Sequence, residues 1–177
     1  LVGAVEAGKR LVARIDSHLA AIQSAAATLD RPVAAIVVGR EPLVLAGPGS
    51  YLGELLVLAG GTNVADAIGG RWPRVGMEFL VASAPEVIFD LSVSMGETLR
   101  GTDAAQAWSS LPSLPAVASG RVIADNASML LRPGPRLAEA ADVLFAGLHP
   151  QAQPPARAQA RPLAHPEAPA LLREDTR

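Results

Sequence analysis

The sequence predicts an α/β fold: a single lobe with a central, partly parallel sheet, preceded by one long helix. Three observations support this class. Apolar residues recur at spacings of three and four over the first thirty positions, which is the period of an amphipathic helix. Short apolar runs then alternate with helix-like segments, as in layered α/β proteins. Half of the 177 residues are apolar, which is enough for one ordinary hydrophobic core.

The long helix is predicted over residues 1–30. Its apolar stripe consists of Leu11, Ile15, Leu19, Ile22, Ala26 and Leu29. Pro32 ends it, because the residue before a proline disfavours the α conformation. From Val2 to Leu29 the helix would measure about 40 Å at the usual rise per residue, which is long for an α/β lobe. Two interpretations stay open: an ordinary packing helix, or a strut that joins the lobe to a segment upstream of Leu1.

The lobe is predicted over residues 31–148, with strands and helices in alternation. In chain order we expect a buried strand at 32–39, a short extended segment at 42–47, a helix from Ser50 to Ala59, an irregular loop at 62–75, a short helix, a strand at 86–90, a helix at 103–110, a strand at 120–125 and a final helix ending near Leu148. Residues 149–177 contain six of the fifteen prolines and have no apolar period. This composition predicts a disordered Pro/Ala-rich tail.

Composition and spacing exclude several function classes. A net charge of −2 without a basic block argues against nucleic acid as a partner. The absence of cysteine removes disulfides and thiolate zinc sites, and no apolar run of about 18 residues predicts a membrane span. The histidines His18, His149 and His165 lie far apart and form no metal-ligand or triad pattern. We therefore predict neither a metal site nor a catalytic residue.

The segment Val44–Gly61, VLAGPGSYLGELLVLAGG, raises the question of nucleotide binding. A phosphate-binding loop needs a Gly-Lys pair, and no lysine follows Gly47 here. In the dinucleotide pattern the third glycine would fall at Leu52, and Gly53 comes one residue late. Nucleotide binding is therefore rejected. Two alternatives remain: a plain turn capped by Ser50, or a turn that offers the Ser50 hydroxyl and backbone N–H groups to another ligand.

Three further residues are candidates for a binding site. Trp72 stands beside Pro73 in an irregular loop, where periodic packing cannot bury it. It either folds against its own loop or faces a ligand as a flat apolar plate. Glu78 lies in the first turn of a short helix. Its carboxylate is either a solvated surface charge or a functional group. Arg132 precedes a final helix and can pair locally or reach into a cleft as a donor.

These pieces together resemble a known family. The segment WPRVGME, Trp72 to Glu78, follows GPGSYLGELLVLAGGTNV, and LPSLPAVASGRV and RPGPRL follow in turn. This order resembles the periplasmic cobalamin-binding proteins of ABC importers and, more broadly, the ferric-siderophore, heme and cobalamin receptors whose two lobes are joined by one long helix. The resemblance covers residues 1–148. It implies that the chain is the C-terminal lobe with its inter-lobe helix, half of a two-lobe protein whose rigid helical connection limits lobe movement.

The resemblance also implies roles for individual residues. Trp72 matches a tryptophan that packs on the bound corrinoid, and Arg132 matches an arginine that lines the same cleft. Ser50 lies where the first turn faces the ligand. Glu78 matches an exposed glutamate that pairs with arginines of the permease. Ser128, four residues before the arginine, stands where a cobalamin binder carries an aspartate, and this is a departure from the cobalamin pattern.

The expected function is the capture of cobalamin, or alternatively of heme or a ferric siderophore, and its delivery to the permease subunits of an importer. The expected location is the periplasm or the extracytoplasmic side of a membrane anchor, and no resident cofactor is implied. Two other classes stay open: an α/β interaction or sensor domain whose aromatic loop only packs, and an enzyme with its catalytic residues in an upstream lobe. Solvent exposure of Trp72 separates the sensor from the transport protein.

Overall fold

Residues 2–92, 106–124, 127–131 and 134–156 are described by the computed structural model of the chain. The strands are β1 (Val33–Arg40), β2 (Leu43–Leu45), β3 (Thr62–Asn63), β4 (Val87–Asp90) and β5 (Val122–Ile123). The helices are α1 (Val2–Ala26), α2 (Tyr51–Leu58), α3 (Met77–Ser83), α4 (Pro115–Ala118), α5 (Ala127–Leu130) and α6 (Leu137–Leu148), with a 3-10 turn at Val64–Ala67. Residues 106–108 are also helical.

The strands form one mixed sheet in the order β2-β1-β4-β5. β4 lies parallel to both β1 and β5, whereas β2 returns antiparallel along β1. The short strand β3 pairs in parallel with residues 33–34 of β1, and β2 pairs with residues 37–40. Both therefore share one edge of β1. The predicted α/β class with a central, partly parallel sheet is confirmed.

Helices cover both faces of this sheet, which explains why residues 33–38 of β1 and 87–89 of β4 are continuously apolar. Along β1, Ala34 and Ile36 face a core formed with α1, α2 and α6. The alternate residues Ala35 and Val37 face a second core that includes residues of β2, α3 and α4. Successive side chains of a strand point to opposite faces, so β1 contributes to both cores at once.

Only the last part of α1 packs on the lobe. Ile22 and Ala26 are buried, and Nε2 of the buried His18 lies 2.7 Å from Oδ1 of Asp142 on α6. By contrast Val5 and Val12 are 58% and 56% exposed. The first half of α1 thus has apolar side chains that the described lobe does not cover, and the choice between the strut and the packing helix stays a prediction.

Several elements differ from the sequence expectation. The loop predicted at 62–75 contains β3 and a 3-10 turn, and the helices α4 and α5 were not predicted. These pieces have two to four residues each, too few to produce a readable period. Residues 103–105 of the helix expected at 103–110 lie outside the described residues, as does Arg132.

The packed part of the chain continues past Leu148. His149 is buried, and its Nε2 lies 3.0 Å from the carbonyl oxygen of Ala59. Ala152 also packs against the core. The predicted tail boundary at 149 is therefore wrong for these residues, while 157–177 lie outside the described part of the chain. Within the described ranges, no helix is both long and apolar enough to cross a bilayer.

The end of α3 provides a test of the fold. Ala84 caps this helix with φ 46° and ψ 53°, in the left-handed region that costs a residue with a Cβ about 1 kcal/mol. We expect Ala84→Gly to raise the free energy of unfolding by about 0.5–1 kcal/mol, measured by urea denaturation. The control Ala82→Gly, inside the same helix, should lower it by about 1 kcal/mol. Equal losses in both variants would contradict this account.

Candidate functional site

The segment 68–76, here called the tryptophan loop, is held against the sheet by its backbone. Three backbone hydrogen bonds join it to β2 and to the turn that follows: Leu45 N–H to Pro73 C=O, Gly47 N–H to Arg71 C=O, and Val75 N–H to Leu43 C=O, each at 3.0 Å. A β-bridge between Val44 and Arg74 extends the antiparallel pairing. The loop therefore covers the free edge of β2, and its position does not depend on the indole of Trp72.

The loop approaches the turn closely at three glycines, which together we call the glycine contact: Gly47, Gly53 and Gly70. A Cβ on Gly47 would lie 2.2 Å from the carbonyl oxygen of Gly70, and a Cβ on Gly53 would lie 2.3 Å from the carbonyl oxygen of Gly47. Real Cβ atoms do not come so near to backbone atoms. Gly47 and Gly53 thus serve the close packing of three backbones.

Ser50 is used inside the same turn. Its hydroxyl donates to the carbonyl of Gly47 at 2.7 Å and accepts from the N–H of Gly53 at 3.0 Å, and the residue is 1% exposed. The side-chain amide of Asn63 donates to the carbonyl of Ala46 at 2.9 Å. The structure gives Ser50 the capping role that the sequence left open, and its hydroxyl points into the turn.

The two tryptophans have opposite environments. Trp72 is 42% exposed, whereas Trp108 is 2% exposed. The indole N–H of Trp108 donates to Oδ2 of the buried Asp90 at 2.8 Å. Trp108 is therefore a core residue, and Trp72 presents a large apolar surface to solvent from a loop whose backbone is fixed.

Tyr51 connects the turn to another predicted site segment. Its hydroxyl donates to the carbonyl of Leu130, the last residue of α5, at 2.7 Å. A tyrosine hydroxyl is protonated at neutral pH, and burial raises the pKa of Tyr51 further above its ordinary value. The backbone of Ser128 lies in α5, while its side chain and Arg132 lie outside the described residues. The turn thus contacts the tryptophan loop through Gly47 and α5 through Tyr51.

Glu78 lies at the surface in the first turn of α3, six residues after Trp72. Its carboxylate folds back over Gly76, where Oε2 would be 2.5 Å from an added Cβ. The tryptophan loop runs directly into α3, so the backbone of Glu78 is tied to the same edge of the sheet.

A groove of about 540 Å³ opens near the amino ends of β1, β4 and β5. Three of the charged side chains that line it form hydrogen bonds with the backbone. Arg31 donates to the carbonyl of Gly61, Arg121 donates to that of Leu148, and Glu86 accepts from the N–H of Val33. In the described part of the chain, no group of three or more His, Asp or Glu side chains could hold a metal ion.

Sequence reasoning missed the structural roles of Tyr51, Asn63 and Gly53. A tyrosine directly after a helix cap gives no local sign of its partner, because Leu130 is 79 positions away. Asn63 and Gly53 could have been noticed as a polar residue after Gly60-Gly61 and a glycine inside an apolar helix. Neither pattern reveals the backbone that it contacts.

A family model described as "Periplasmic binding protein" matches residues 1–128. None of the curated proteins matches the chain. Among solved structures, the chain is similar to the periplasmic vitamin B12-binding protein BtuF of Vibrio cholerae, with 24% identity and a TM-score of 0.59 over 75% of this chain and 50% of that one.

Two other solved structures are also similar. The periplasmic heme-binding protein RhuT from Roseiflexus sp. RS-1, in its apo form, has 24% identity and a TM-score of 0.70 over 84% of this chain and 58% of that one. An ABC-type Fe3+-hydroxamate transport system from Saccharomonospora viridis DSM 43017 has 23% identity and a TM-score of 0.65 over 78% and 48%. At these identities the likeness shows the fold. The chain spans about half the length of the structures it matches.

The glycine contact provides a test of the site geometry. We expect Gly47→Ala to lower the free energy of unfolding by about 1–3 kcal/mol, because the added methyl displaces the backbone of Gly70. It should also speed amide exchange in the tryptophan loop, measured by mass spectrometry. Gly134→Ala is the control, since a Cβ there meets nothing within 4 Å. If both variants unfold at the same denaturant concentration, the close approach is not required.

Proposed function

This chain belongs to the periplasmic binding protein family, as its sequence resemblance predicted, and we propose that it forms one lobe of the substrate-binding component of an ABC importer. In this role it captures cobalamin, or alternatively heme or a ferric siderophore, and delivers the ligand to the permease subunits. It works in the periplasm or from a membrane anchor on the extracytoplasmic side, and it catalyses no reaction.

The observation that carries this proposal is the exposure of Trp72 on a fixed loop. An indole that is 42% exposed leaves a broad apolar plate available to a ligand. Because the backbone of the tryptophan loop is hydrogen-bonded to β2 and to Gly47, the indole of Trp72 needs little ordering when a ligand binds. A group that is held in place before binding costs less conformational entropy on association. A flat metal chelate such as a corrinoid or a porphyrin suits such a plate.

The proposed ligand face has the tryptophan loop on one side of the Ser50 turn and α5 on the other. We propose that Trp72 packs on the ligand and that Ser128 and Arg132 contact its polar fringe. Ser50 supports this face from within, by capping α2 and holding the turn. The serine at 128, where the cobalamin pattern has an aspartate, leaves heme and ferric siderophores as the second ligand choice.

The long helix supports the two-lobe arrangement. Val5 and Val12 are largely exposed, so the first half of α1 offers apolar surface that the described lobe does not cover. His18 and Asp142 join the second half to α6 through a short, buried contact. We propose that α1 links this lobe to an upstream one and that residues 31–148 are the C-terminal lobe.

The exposure of Trp72 supports the transport protein over the rival sensor domain. In that rival the loop only packs, and its tryptophan would be buried like Trp108. An enzyme would need catalytic residues from another part of the protein. No observation on this chain favours either alternative.

Trp72→Ala should weaken binding of the ligand about tenfold or more, with little loss of stability, because the indole is exposed while the loop is held by its backbone. The complete protein would be titrated with cyanocobalamin, hemin and a ferric hydroxamate, and thermal unfolding would be followed in parallel. Val57→Ala is the matched control, since Val57 is 39% exposed on α2 and outside the proposed face.

A large drop in melting temperature with unchanged affinity in the Trp72 variant would refute its role as a ligand plate. Failure of the wild-type protein to bind any of the three probes would refute the ligand class itself.

Glu78→Ala should leave ligand affinity unchanged and slow transport, because a charge at the rim mainly governs the rate of docking to a partner. Uptake would be measured in vesicles that contain the permease, at low and at high salt, and the difference from wild type should shrink with salt. Glu54→Ala is the control, since Glu54 is likewise an exposed glutamate in a first helical turn. Uptake equal to wild type at low salt would count against the docking role.

A further inference from the structure

We propose that Tyr51 is a positioning residue of the ligand face: its hydrogen bond to the carbonyl of Leu130 fixes α5 relative to the Ser50 turn. This inference rests on the proposed function, because α5 contains Ser128 and lies just before Arg132. It assigns to Tyr51 the polar contact that positions the second side of the face, beside the burial of the Leu130 side chain.

The position of α5 depends on contacts from outside the helix. It has four residues, and a helix this short cannot stabilise itself through its own backbone hydrogen bonds. Its last carbonyls also need partners outside the helix. Leu130 provides both kinds of contact. Its side chain is buried in the core at 1% exposure, which anchors the helix, and its carbonyl accepts from the Tyr51 hydroxyl at 2.7 Å.

The other end of this contact is rigid. Tyr51 is the first residue of α2 and follows the cap residue Ser50, whose hydroxyl bonds to Gly47 and Gly53. The ring of Tyr51 packs against the same core that contains Leu130. The amino end of α2 therefore contacts the tryptophan loop through the glycine contact and contacts α5 through the Tyr51 hydroxyl. The same element thus positions both sides of the proposed face.

The bond requires a protonated phenol. Burial raises the pKa of Tyr51, so the hydroxyl donates throughout the neutral range. Since the pKa in the folded state is above the unfolded value of 10.0, the contribution of Tyr51 to stability is complete below that value and is lost as the pH rises through the folded pKa. Tyr51→Phe removes both the donor and this alkaline dependence while it keeps the ring.

The test uses Tyr51→Phe in the complete protein, with Val57→Ala on the same helix as the control. We expect faster amide exchange in residues 127–131 with unchanged exchange in β1, and about fivefold weaker binding of the probe that the wild type binds, chosen from cyanocobalamin, hemin and a ferric hydroxamate. The phenylalanine variant should also lose less stability than wild type when the pH is raised past the tyrosine range.

Unchanged exchange in residues 127–131 would overturn the positioning role, whatever the ligand. Faster exchange with unchanged affinity would show that α5 moves without consequence for binding and would overturn the functional part. Wild-type protein that binds none of the probes would instead overturn the proposed function, and this result is visible without the variant.

Discussion

The close approach of three backbones at Gly47, Gly53 and Gly70 is the constraint on which the candidate site depends. A single Cβ at the first two positions would come within 2.3 Å of a carbonyl oxygen, so no other residue type fits without a shift of the chain. The approach lets the tryptophan loop pair with β2 and the turn through main-chain hydrogen bonds. Main-chain pairing leaves the side chain of Trp72 free, and an exposed indole on an ordered loop is the result.

The few polar side chains buried inside the lobe serve the fold. His18 bonds to Asp142, His149 to the carbonyl of Ala59, and Asp90 accepts from Trp108. In the described part of the chain every buried side-chain nitrogen and oxygen has a hydrogen-bond partner. Buried polar groups normally need such partners because desolvation is costly. In the described ranges, the polar groups left for recognition are therefore those at the surface.

Sequence reasoning could predict what repeats within a short window. The long helix, the buried strand β1 and the cap of α2 by Ser50 each have a local signal, and the structure confirms them. The role of Gly47 could not be predicted, because the backbone that it contacts comes 23 positions later. The same applies to Tyr51 and to His149, whose partners are distant in sequence. Local propensity identifies a turn, but only the tertiary structure shows what passes over it.

The backbone pairing of the tryptophan loop bears on how the proposed ligand is held. The loop is bonded to β2 and to Gly47 through its main chain, so in the proposed function this side of the ligand face is formed before a ligand binds. Binding to such a face is favourable when little must be ordered, and selectivity then depends on shape and on the polar fringe. A broad planar plate fits several metal chelates of similar outline. In the proposed function, discrimination among them rests on the second side of the face, where Ser128 of α5 stands at the position of the aspartate in the cobalamin pattern.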